Sequence, residues 1–415
     1  MSAEKRHNGS GAKPAGPARR QSPYRVAGAE DLLYSLAADG SRKNVEPTLN
    51  RGRYWKRRLA LAVGLIAAFV ISPHLHIAGK PLFLFDLVHR QFTVFGTTFH
   101  PTDNLILLAF GATIIISLFA ITTLFGRLWC GYGCPHPIYL EFIYRPLETL
   151  FEGKPAARRR LNRGPWDGNR VGRKAAKWTA YGLISLFLSV TFVSYFVCWD
   201  ALLHGLLTAP LHNKGALAVT LATMAAMFFN FNTFRDQMCT VACPYGRLQT
   251  VLYDHDTIII GYDNKRGEPR AAKRNKKDDN DEFGDCIDCS QCIRTCPTAM
   301  DIRRGLQMEC IGCAQCVEAC DSVMARVGKP AGLIRYTSQR ELETGKARFL
   351  RPRVALYGVI FSVALGALLT LTIGRNKADA EILRNGREPY RMLRSGKVAN
   401  MLRLRLTNRI QKEQR

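Results

Sequence analysis

The sequence predicts a polytopic α-helical membrane protein of about five transmembrane helices, with a small cytoplasmic α+β domain inserted before the last helix. Five apolar runs approach the length that crosses a bilayer and predict the helices. Eight cysteines between Cys286 and Cys320 predict the inserted domain. Basic residues are concentrated in alternate connections, and this asymmetry predicts the orientation.

The first 54 residues are polar, basic and rich in Gly, Pro, Ala and Ser. This composition predicts a largely disordered tail. The segment contains no apolar run of the kind that forms a signal peptide, so we expect it to stay in the cytoplasm.

The apolar runs divide the chain into a four-helix membrane region, residues 55–262, and a fifth transmembrane helix at 350–375. The runs are 59–77, 104–125, 178–197, 215–229 and 354–373. The fourth is short for a membrane span unless it begins near Leu206. Five such runs with flanking positive charge disfavour the alternative of buried helices in a soluble protein.

Positive charge assigns the two sides of the membrane. Basic residues precede the first run (51–58), fill the connection between the second and third runs (154–177) and recur at 265–277. These regions are predicted to be cytoplasmic, and the loops at 78–103 and 199–214 to lie outside. The amino terminus is then inside and the carboxyl terminus outside, although the tail 375–415 is also basic.

Residues 263–345 carry two consecutive C-x2-C-x2-C-x3-C runs, the spacing of a bacterial ferredoxin with two [4Fe-4S] clusters. In that arrangement the fourth cysteine of each run binds the other cluster. The predicted ligands of cluster one are Cys286, Cys289, Cys292 and Cys320. The predicted ligands of cluster two are Cys310, Cys313, Cys316 and Cys296. The spacing predicts transfer of single electrons.

Two other uses of these cysteines fit less well. Structural zinc sites use two cysteine pairs separated by a longer loop, which differs from two identical four-cysteine runs. A secreted disulfide scaffold is disfavoured because thiolates that hold iron must stay reduced.

Nucleic-acid binding, which the net charge of +26 could suggest, is also disfavoured, because no nucleic-acid-binding motif accompanies the charge.

Four more cysteines form two C-x3-C-P motifs. Cys130 and Cys134 follow the second apolar run, and Cys239 and Cys243 follow the fourth. Both runs point in the same direction, so the motifs form a parallel internal repeat at the cytoplasmic ends of two helices. The i, i+4 spacing predicts both thiols of a motif on one helical face, and the proline favours a helix end there.

Three interpretations of this second set remain open. The thiols could bind a soft metal such as Cu(I), cycle between dithiol and disulfide, or serve as small packed residues without chemistry. Cys198 stands apart and is expected to be a small apolar residue. Imidazoles near the outer side could ligate haem or copper, but scattered loop histidines are usually solvated. These histidines are His74, His76, His89, His100, His204 and His212.

The sequence resembles the CcoG/FixG/RdxA family of cbb3-type cytochrome c oxidase accessory proteins, polyferredoxin-like membrane iron–sulfur proteins. The similarity runs from about residue 30 to about residue 407. It rests on these segments: 125–135 (FGRLWCGYGCP), 239–245, 262–270 (YDNKRGEPR), 285–289, 309–313 and 332–336.

The resemblance implies a protein of the bacterial inner membrane that assists assembly of a copper–haem oxidase, with reduction of Cu(II) to Cu(I) as its oxidoreductase activity. It implies two [4Fe-4S] clusters at the eight cysteines and copper or redox chemistry at Cys130, Cys134, Cys239 and Cys243. The implied partners are membrane lipid, a cytoplasmic electron donor, and a copper transporter or oxidase assembly factors. Family members continue into an extracytoplasmic immunoglobulin-like domain. Residues 376–415 are expected to be a remnant of its start, whose alternating segment 401–407 is a lone strand.

Two other functions remain as alternatives. One is an electron-transfer subunit of the NapH/NosR type, which would link quinol to a periplasmic partner. The other is a non-catalytic redox sensor or scaffold, although no signalling domain is visible in the sequence.

Overall fold

The structure is a computed structural model of the chain, and helices dominate it. It describes residues 45–77, 79–87, 91–99, 103–208, 213–270, 283–348, 350–374, 378–384, 391–393, 396–399 and 402–408. Residues 1–44 of the predicted tail and the histidines His89, His100 and His212 lie outside these ranges.

The helices, in chain order, are α1 (Arg53–Ile71), α2 (Asn104–Phe125), α3 (Leu128–Tyr132), α4 (Pro135–Tyr139), α5 (Arg145–Glu152), α6 (Pro155–Arg163), α7 (Gly168–Val193), α8 (Trp199–Thr208), α9 (Lys214–Phe229), α10 (Pro244–Leu252), α11 (Asn264–Gly267), α12 (Gln291–Thr295), α13 (Gln315–Val327), α14 (Gln339–Thr344) and α15 (Pro352–Ile373). Wider, π-type turns form Leu140–Tyr144, Asn230–Phe234 and Met238–Ala242, and 3₁₀ turns form Ser72–His74 and Ile302–Arg304.

The strands are β1 (His76–Ile77), β2 (Lys80–Pro81), β3 (Phe83–Asp86), β4 (Gln91–Val94), β5 (Thr97–Phe99), β6 (Ile259–Tyr262), β7 (Ile334–Thr337), β8 (Ala378–Arg384), β9 (Arg391–Met392), β10 (Val398–Ala399) and β11 (Leu402–Asn408). Each of the pairs β1–β2, β3–β4, β4–β5, β6–β7, β8–β11 and β9–β10 is antiparallel.

Four helices are long and apolar enough to cross a membrane, among the residues that the structure describes. They are α2, α7, α15 and α9 together with its continuation to Phe234. The predicted fourth run reaches 21 residues because the π-type turn Asn230–Phe234 extends its far end. It is not extended from Leu206, which belongs to the separate helix α8. Large apolar side chains of α2 and α15 are exposed, as lipid contact requires.

The first predicted span is displaced toward the amino terminus. Helix α1 covers Arg53–Ile71, whereas the end of the run, 72–77, forms a 3₁₀ turn and the short strand β1. A helix of 19 residues is about 28 Å long. Its four basic residues keep it out of the set of strongly apolar helices, so a fifth membrane span stays a prediction.

The end of the predicted disordered tail is ordered, which corrects that boundary. Backbone N–H groups of Thr48 and Asn50 donate to the Arg294 carbonyl and the Gln315 side chain, each at 3.0 Å. These partners belong to the eight-cysteine domain, more than 240 residues away in sequence. Composition alone could not reveal such long-range contacts.

A buried cluster holds the helices of the membrane region together. The Tyr144 ring stacks on Phe231 with centroids 4.2 Å apart and meets Tyr181 edge-on at 4.9 Å. The Tyr181 hydroxyl donates to the Tyr144 carbonyl at 3.0 Å. Because Phe231 belongs to the continuation of α9, the cluster ties the segment after one C-x3-C-P motif to the segment before the other.

The eight-cysteine domain combines a pair of strands with short helices. Strands β6 and β7 pair with Tyr262 opposite Ile334, and α12 packs against α13. Its core contains cysteines together with Met300, Val323 and Leu333. The sheet therefore closes over the cysteine-lined interior of the domain.

The carboxyl-terminal tail differs from the prediction of one unpaired strand. The alternating segment is a strand, β11, but it pairs along its length with β8, with Leu402 opposite Arg384 and Asn408 opposite Ala378. Strands β9 and β10 form a second pair between them. The sequence analysis missed β8 because its apolar residues do not alternate regularly.

Candidate iron–sulfur centres and adjacent cysteine motifs

The two cysteine runs adopt the same backbone conformation. Asp288 and Gly312, which precede the second cysteine of each run, have φ of 49° and 68°. Ser290 and Ala314, which follow that cysteine, have φ of 55° and 59°. Alternation into the left-handed region turns successive N–H groups toward one point, as in concavities that bind anions and Fe–S centres. The spacing repeat is therefore a structural repeat.

The predicted ligands of cluster one lie together. Cys320 is on α13, and charge on Cys292, Cys286 and Cys289 adds to burial in raising the pKa of its thiol to about 12. Cys289 and Cys320 pack against the same buried core that contains Cys286 and Cys292. Cys286 and Cys292 are buried in the domain core.

The predicted ligands of cluster two line one cavity. Cys296, Cys310, Cys313 and Cys316 line one small pocket, together with Cys292 and apolar side chains. Burial raises the pKa of the Cys296 and Cys310 thiols to about 11 and that of Cys313 to about 12. Four thiols in an apolar pocket suit a [4Fe-4S] cluster, whose iron would displace the four protons. The assignment of each cysteine to one cluster stays a prediction.

The C-x3-C-P motifs end in matching conformations. Cys134 and Cys243 are extended, with ψ of 127° and 111°, and each precedes a proline at the first position of a helix. Cys130 lies in α3 and Cys239 in a π-type turn. The thiols of a motif therefore do not share one continuous helical face, because the residue before proline leaves the helix.

Each motif contacts the other reciprocally. The Cys130 Sγ donates to Gln249 Oε1 at 3.4 Å, and the Cys239 Sγ lies 3.5 Å from His136 Nδ1. Gln249 follows the second motif and His136 follows the first. The Arg127 guanidinium adds a third link by donating to the Gly246 carbonyl. The parallel repeat predicted from the sequence thus becomes one joint site.

Burial affects three thiols of this joint site in the same direction. Burial raises the pKa of Cys130 to about 11, against a partly opposing effect of Arg127. Burial also raises the pKa of Cys134 and of Cys239, with neighbouring cysteines adding to the effect. Dithiols that react with disulfides have lowered thiol pKa values, so the raised pKa values disfavour disulfide cycling in the protein without metal. Among the described residues, no three of these sulfurs lie within 4.8 Å of one another.

Sequence analysis missed His136, which lies two residues after Cys134. Its ring stacks on Phe231 with centroids 5.3 Å apart, and burial lowers its pKa, which favours the neutral, metal-binding form. Its Nε2 atom is buried and makes no well-formed hydrogen bond within the described chain, although Asn230 lies beside it. A histidine directly after C-x3-C-P was the available signal.

The first motif packs directly on the loop of cluster two. A Cβ added at Gly131 would lie 2.7 Å from the Ile311 carbonyl oxygen, and one at Gly312 would lie 3.1 Å from the Arg127 carbonyl. The Tyr336 hydroxyl donates to the Gly312 carbonyl at 2.7 Å. Two glycines therefore allow close backbone contact between the residues around Cys130 and those around Cys310 and Cys313.

A cavity continues this contact toward the second motif. His136 and Cys239 line it on one side. Pro297, Thr298 and Ile311, which neighbour cysteines of cluster two, line it on the other. The pocket between the predicted cluster-two ligands and the joint site is thus lined by a thiol and an imidazole, together with three charged side chains: Glu141, Arg145 and Asp236.

Two acidic side chains hold α1 against this assembly. Glu318 accepts hydrogen bonds from the backbone N–H groups of Gly52, Tyr54 and Trp55 at the start of α1. A carboxylate there satisfies free N–H groups and complements the helix dipole. Farther along, Arg58 is buried, pairs with Glu141 and donates to the carbonyl of Gly131 at 2.8 Å.

Two family models match the segments that contain the two sets of cysteines. A family model described as a 4Fe-4S dicluster domain matches residues 234–339, and one described as a 4Fe-4S binding domain matches residues 107–157. The second range contains Cys130 and Cys134, outside the two ferredoxin runs.

Three curated proteins are similar over most of the chain. RdxA of Cereibacter sphaeroides is 31% identical over 88% of this chain and 78% of its own length. RdxB of the same organism is 32% identical over 91% and 80%. The nitrogen fixation protein FixG of Rhizobium meliloti is 27% identical over 89% and 77%. No solved structure matches the chain.

Proposed function

The chain belongs to the family of RdxA, RdxB and FixG, and from this premise we propose that it is a cupric reductase of the bacterial inner membrane. It is a membrane iron–sulfur protein of the electron-transfer type. In the proposal, electrons from a cytoplasmic donor reach the joint C-x3-C-P site and reduce Cu(II) to Cu(I) there. The Cu(I) then serves assembly of a cbb3-type oxidase.

The observation that carries the proposal is the contact between Gly131 and the Ile311–Gly312 segment. It brings the residues around Cys130 against the loop that holds three predicted ligands of cluster two. The clusters, when bound, supply single electrons. The close contact supports a path for those electrons into the joint site.

The side chains of the joint site suit Cu(I) as the product. Thiolate and imidazole are soft or borderline donors, and thiolate prefers Cu(I) over Cu(II). A site that binds the reduced ion more tightly makes its formation more favourable. Cys130 and Cys239 supply thiols from the two motifs, and His136 supplies a neutral ring nitrogen beside Cys239. Burial keeps these groups out of bulk water.

Protein purified without oxygen, with and without the paired substitutions Cys130→Ser and Cys239→Ser, tests this function. We expect both proteins to hold the same iron and to show the same cluster EPR signals. Only the unsubstituted protein should convert Cu(II) to Cu(I) when given a reductant. Equal copper reduction by the paired variant would remove the joint site from the mechanism.

An alternative acts on quinol, as in the NapH/NosR type. One observation favours it: an apolar pocket at the end of α1 is lined by Phe69, Phe83 and Tyr195, with the Ser72 hydroxyl donating to Tyr195 at 2.5 Å. This pocket lies about one helix length from the Glu318 end of α1, where the clusters are. Quinol-dependent reduction of the clusters would favour this alternative.

A further inference from the structure

Three potential metal ligands meet at the end of the membrane region opposite the iron–sulfur domain. The donor atoms of His76, Cys198 and Asp200 all lie within 4.8 Å of one another. His76 follows α1, and the other two residues stand at the start of α8. Helix α1 separates this group from Glu318, at the cluster end, by about 28 Å. The group is therefore distinct from the joint C-x3-C-P site.

Contacts around the group bring its two segments together. The Tyr195 hydroxyl donates to the Phe69 carbonyl at 2.7 Å, and the Phe85 N–H donates to the Tyr195 carbonyl at 2.7 Å. The His74 ring packs edge-on against Trp199 with centroids 4.3 Å apart. These contacts lie on either side of the ligands in sequence, so the fold itself holds His76 near Cys198.

One contact orients the imidazole. His76 Nδ1 lies 3.1 Å from the His74 carbonyl oxygen, which can accept a hydrogen bond from it. A backbone carbonyl on one ring nitrogen is the usual support of a histidine that binds metal through the other, which here is Nε2. His76 and Asp200 are exposed and Cys198 is half-buried, so an ion can enter from solvent.

We propose that His76, Cys198 and Asp200 bind one divalent transition-metal ion of borderline softness, of the Zn²⁺ and Cu²⁺ class. Imidazole nitrogen, thiolate and carboxylate are the three ligand types of zinc sites, and three protein ligands leave the fourth position open. The same donors bind Cu²⁺ more tightly than Zn²⁺ at equal availability. The proposal does not depend on copper reduction at the joint site.

The probe is Zn²⁺, because it is redox-inactive and leaves the clusters in one state. Cluster-loaded full-length protein is equilibrated with Zn²⁺ against a chelator, and bound zinc is counted per chain. The variants are His76→Asn, Cys198→Ser and Asp200→Asn, with His204→Asn as the matched control, because His204 is exposed on the same helix as Asp200 but lies outside the group. Iron content reports whether each variant is folded. Zinc bound at the joint site is common to all samples.

Each ligand variant should bind one zinc ion fewer per chain than the unsubstituted protein, or should bind that ion more weakly. Loss of an outer-shell partner costs roughly 10- to 100-fold in metal affinity, and loss of a direct ligand should cost more. The His204→Asn variant should match the unsubstituted protein. With Co²⁺ as a second probe, Cys198→Ser should abolish a thiolate-to-cobalt absorption band. Unchanged zinc number and affinity in Cys198→Ser and in His76→Asn, with normal iron content, would overturn the proposal.

Discussion

Substituting Gly131 with alanine should slow electron delivery from the clusters without removing them. The new Cβ would lie 2.7 Å from the Ile311 carbonyl oxygen, about 0.7 Å inside the 3.4 Å of ordinary contact. The opposing atoms belong to the backbone of the cluster-two loop, so they cannot rotate away as a side chain would. Alanine favours helix more than glycine, so α3 itself should not suffer.

The size of the effect follows from overpacking a close contact, which costs about 1–3 kcal/mol. If the contact must close for each electron transfer, that cost corresponds to a rate roughly 5- to 150-fold lower. The assay reduces the clusters anaerobically, adds Cu(II) and follows return of the oxidised cluster absorbance. Iron content and EPR signals should remain those of the unsubstituted protein.

Gly111→Ala is the matched control, because a Cβ at Gly111 within α2 meets no atom within 4 Å. It should leave the reoxidation rate unchanged. If Gly131→Ala, with full iron content, reoxidises as fast as the control, the close backbone contact is not part of the electron path.

Three further predictions concern residues around the same assembly. His136→Phe keeps the ring stack on Phe231 but removes the nitrogen, so Cu(I) affinity measured against a chelator should fall by at least roughly tenfold with iron unchanged; equal affinity would exclude His136 as a ligand. Glu318→Ala removes the acceptor at the start of α1 and should cost about 1–2 kcal/mol, seen as faster trypsin cleavage after Arg53; unchanged cleavage would contradict the capping role. Glu148 lies beside Arg235 and other cations, whose attraction outweighs the effect of burial and lowers the pKa of the carboxyl group. The stabilisation from Glu148 is therefore complete above the ordinary carboxyl pKa of 4.5 and is lost as the pH falls through the lower pKa of the folded state. Glu148→Gln should therefore cost about 3–5 kcal/mol at neutral pH and flatten the acid dependence of thermal stability, and an unchanged acid profile would refute this.

The sequence predicted the features that depend on local pattern. Cysteine spacing predicted eight thiols in one domain. The structure places seven of them in or against its buried core, and the eighth, Cys313, lines a pocket with four of these seven. Length and hydropathy predicted the helices α2, α7, α9 and α15. Cysteine spacing and hydropathy are both properties of short continuous segments, so a single sequence is enough to detect them.

The sequence could not predict features that arise from contacts between distant segments. Helix α1 begins at Arg53, before the predicted apolar run, because Glu318, far away in sequence, caps its start. His136 entered the joint site only because the fold places Cys239 beside it. The alternation of residues 401–407 predicted strand β11 but could not predict that it pairs with β8. Gly131 carried no local signal that it touches the cluster-two loop.

The central claim is that electrons leave the clusters through the joint C-x3-C-P site to Cu(II). The most direct test is a single turnover of pre-reduced protein, with excess reductant removed, followed at once by cluster absorbance and by a Cu(I)-specific chelator. The account predicts one Cu(I) for each electron that the clusters lose, and clusters that stay reduced when Cys130 and Cys239 are replaced by serine. Clusters that reoxidise in that paired variant at the unsubstituted rate, with the same yield of Cu(I), would contradict it.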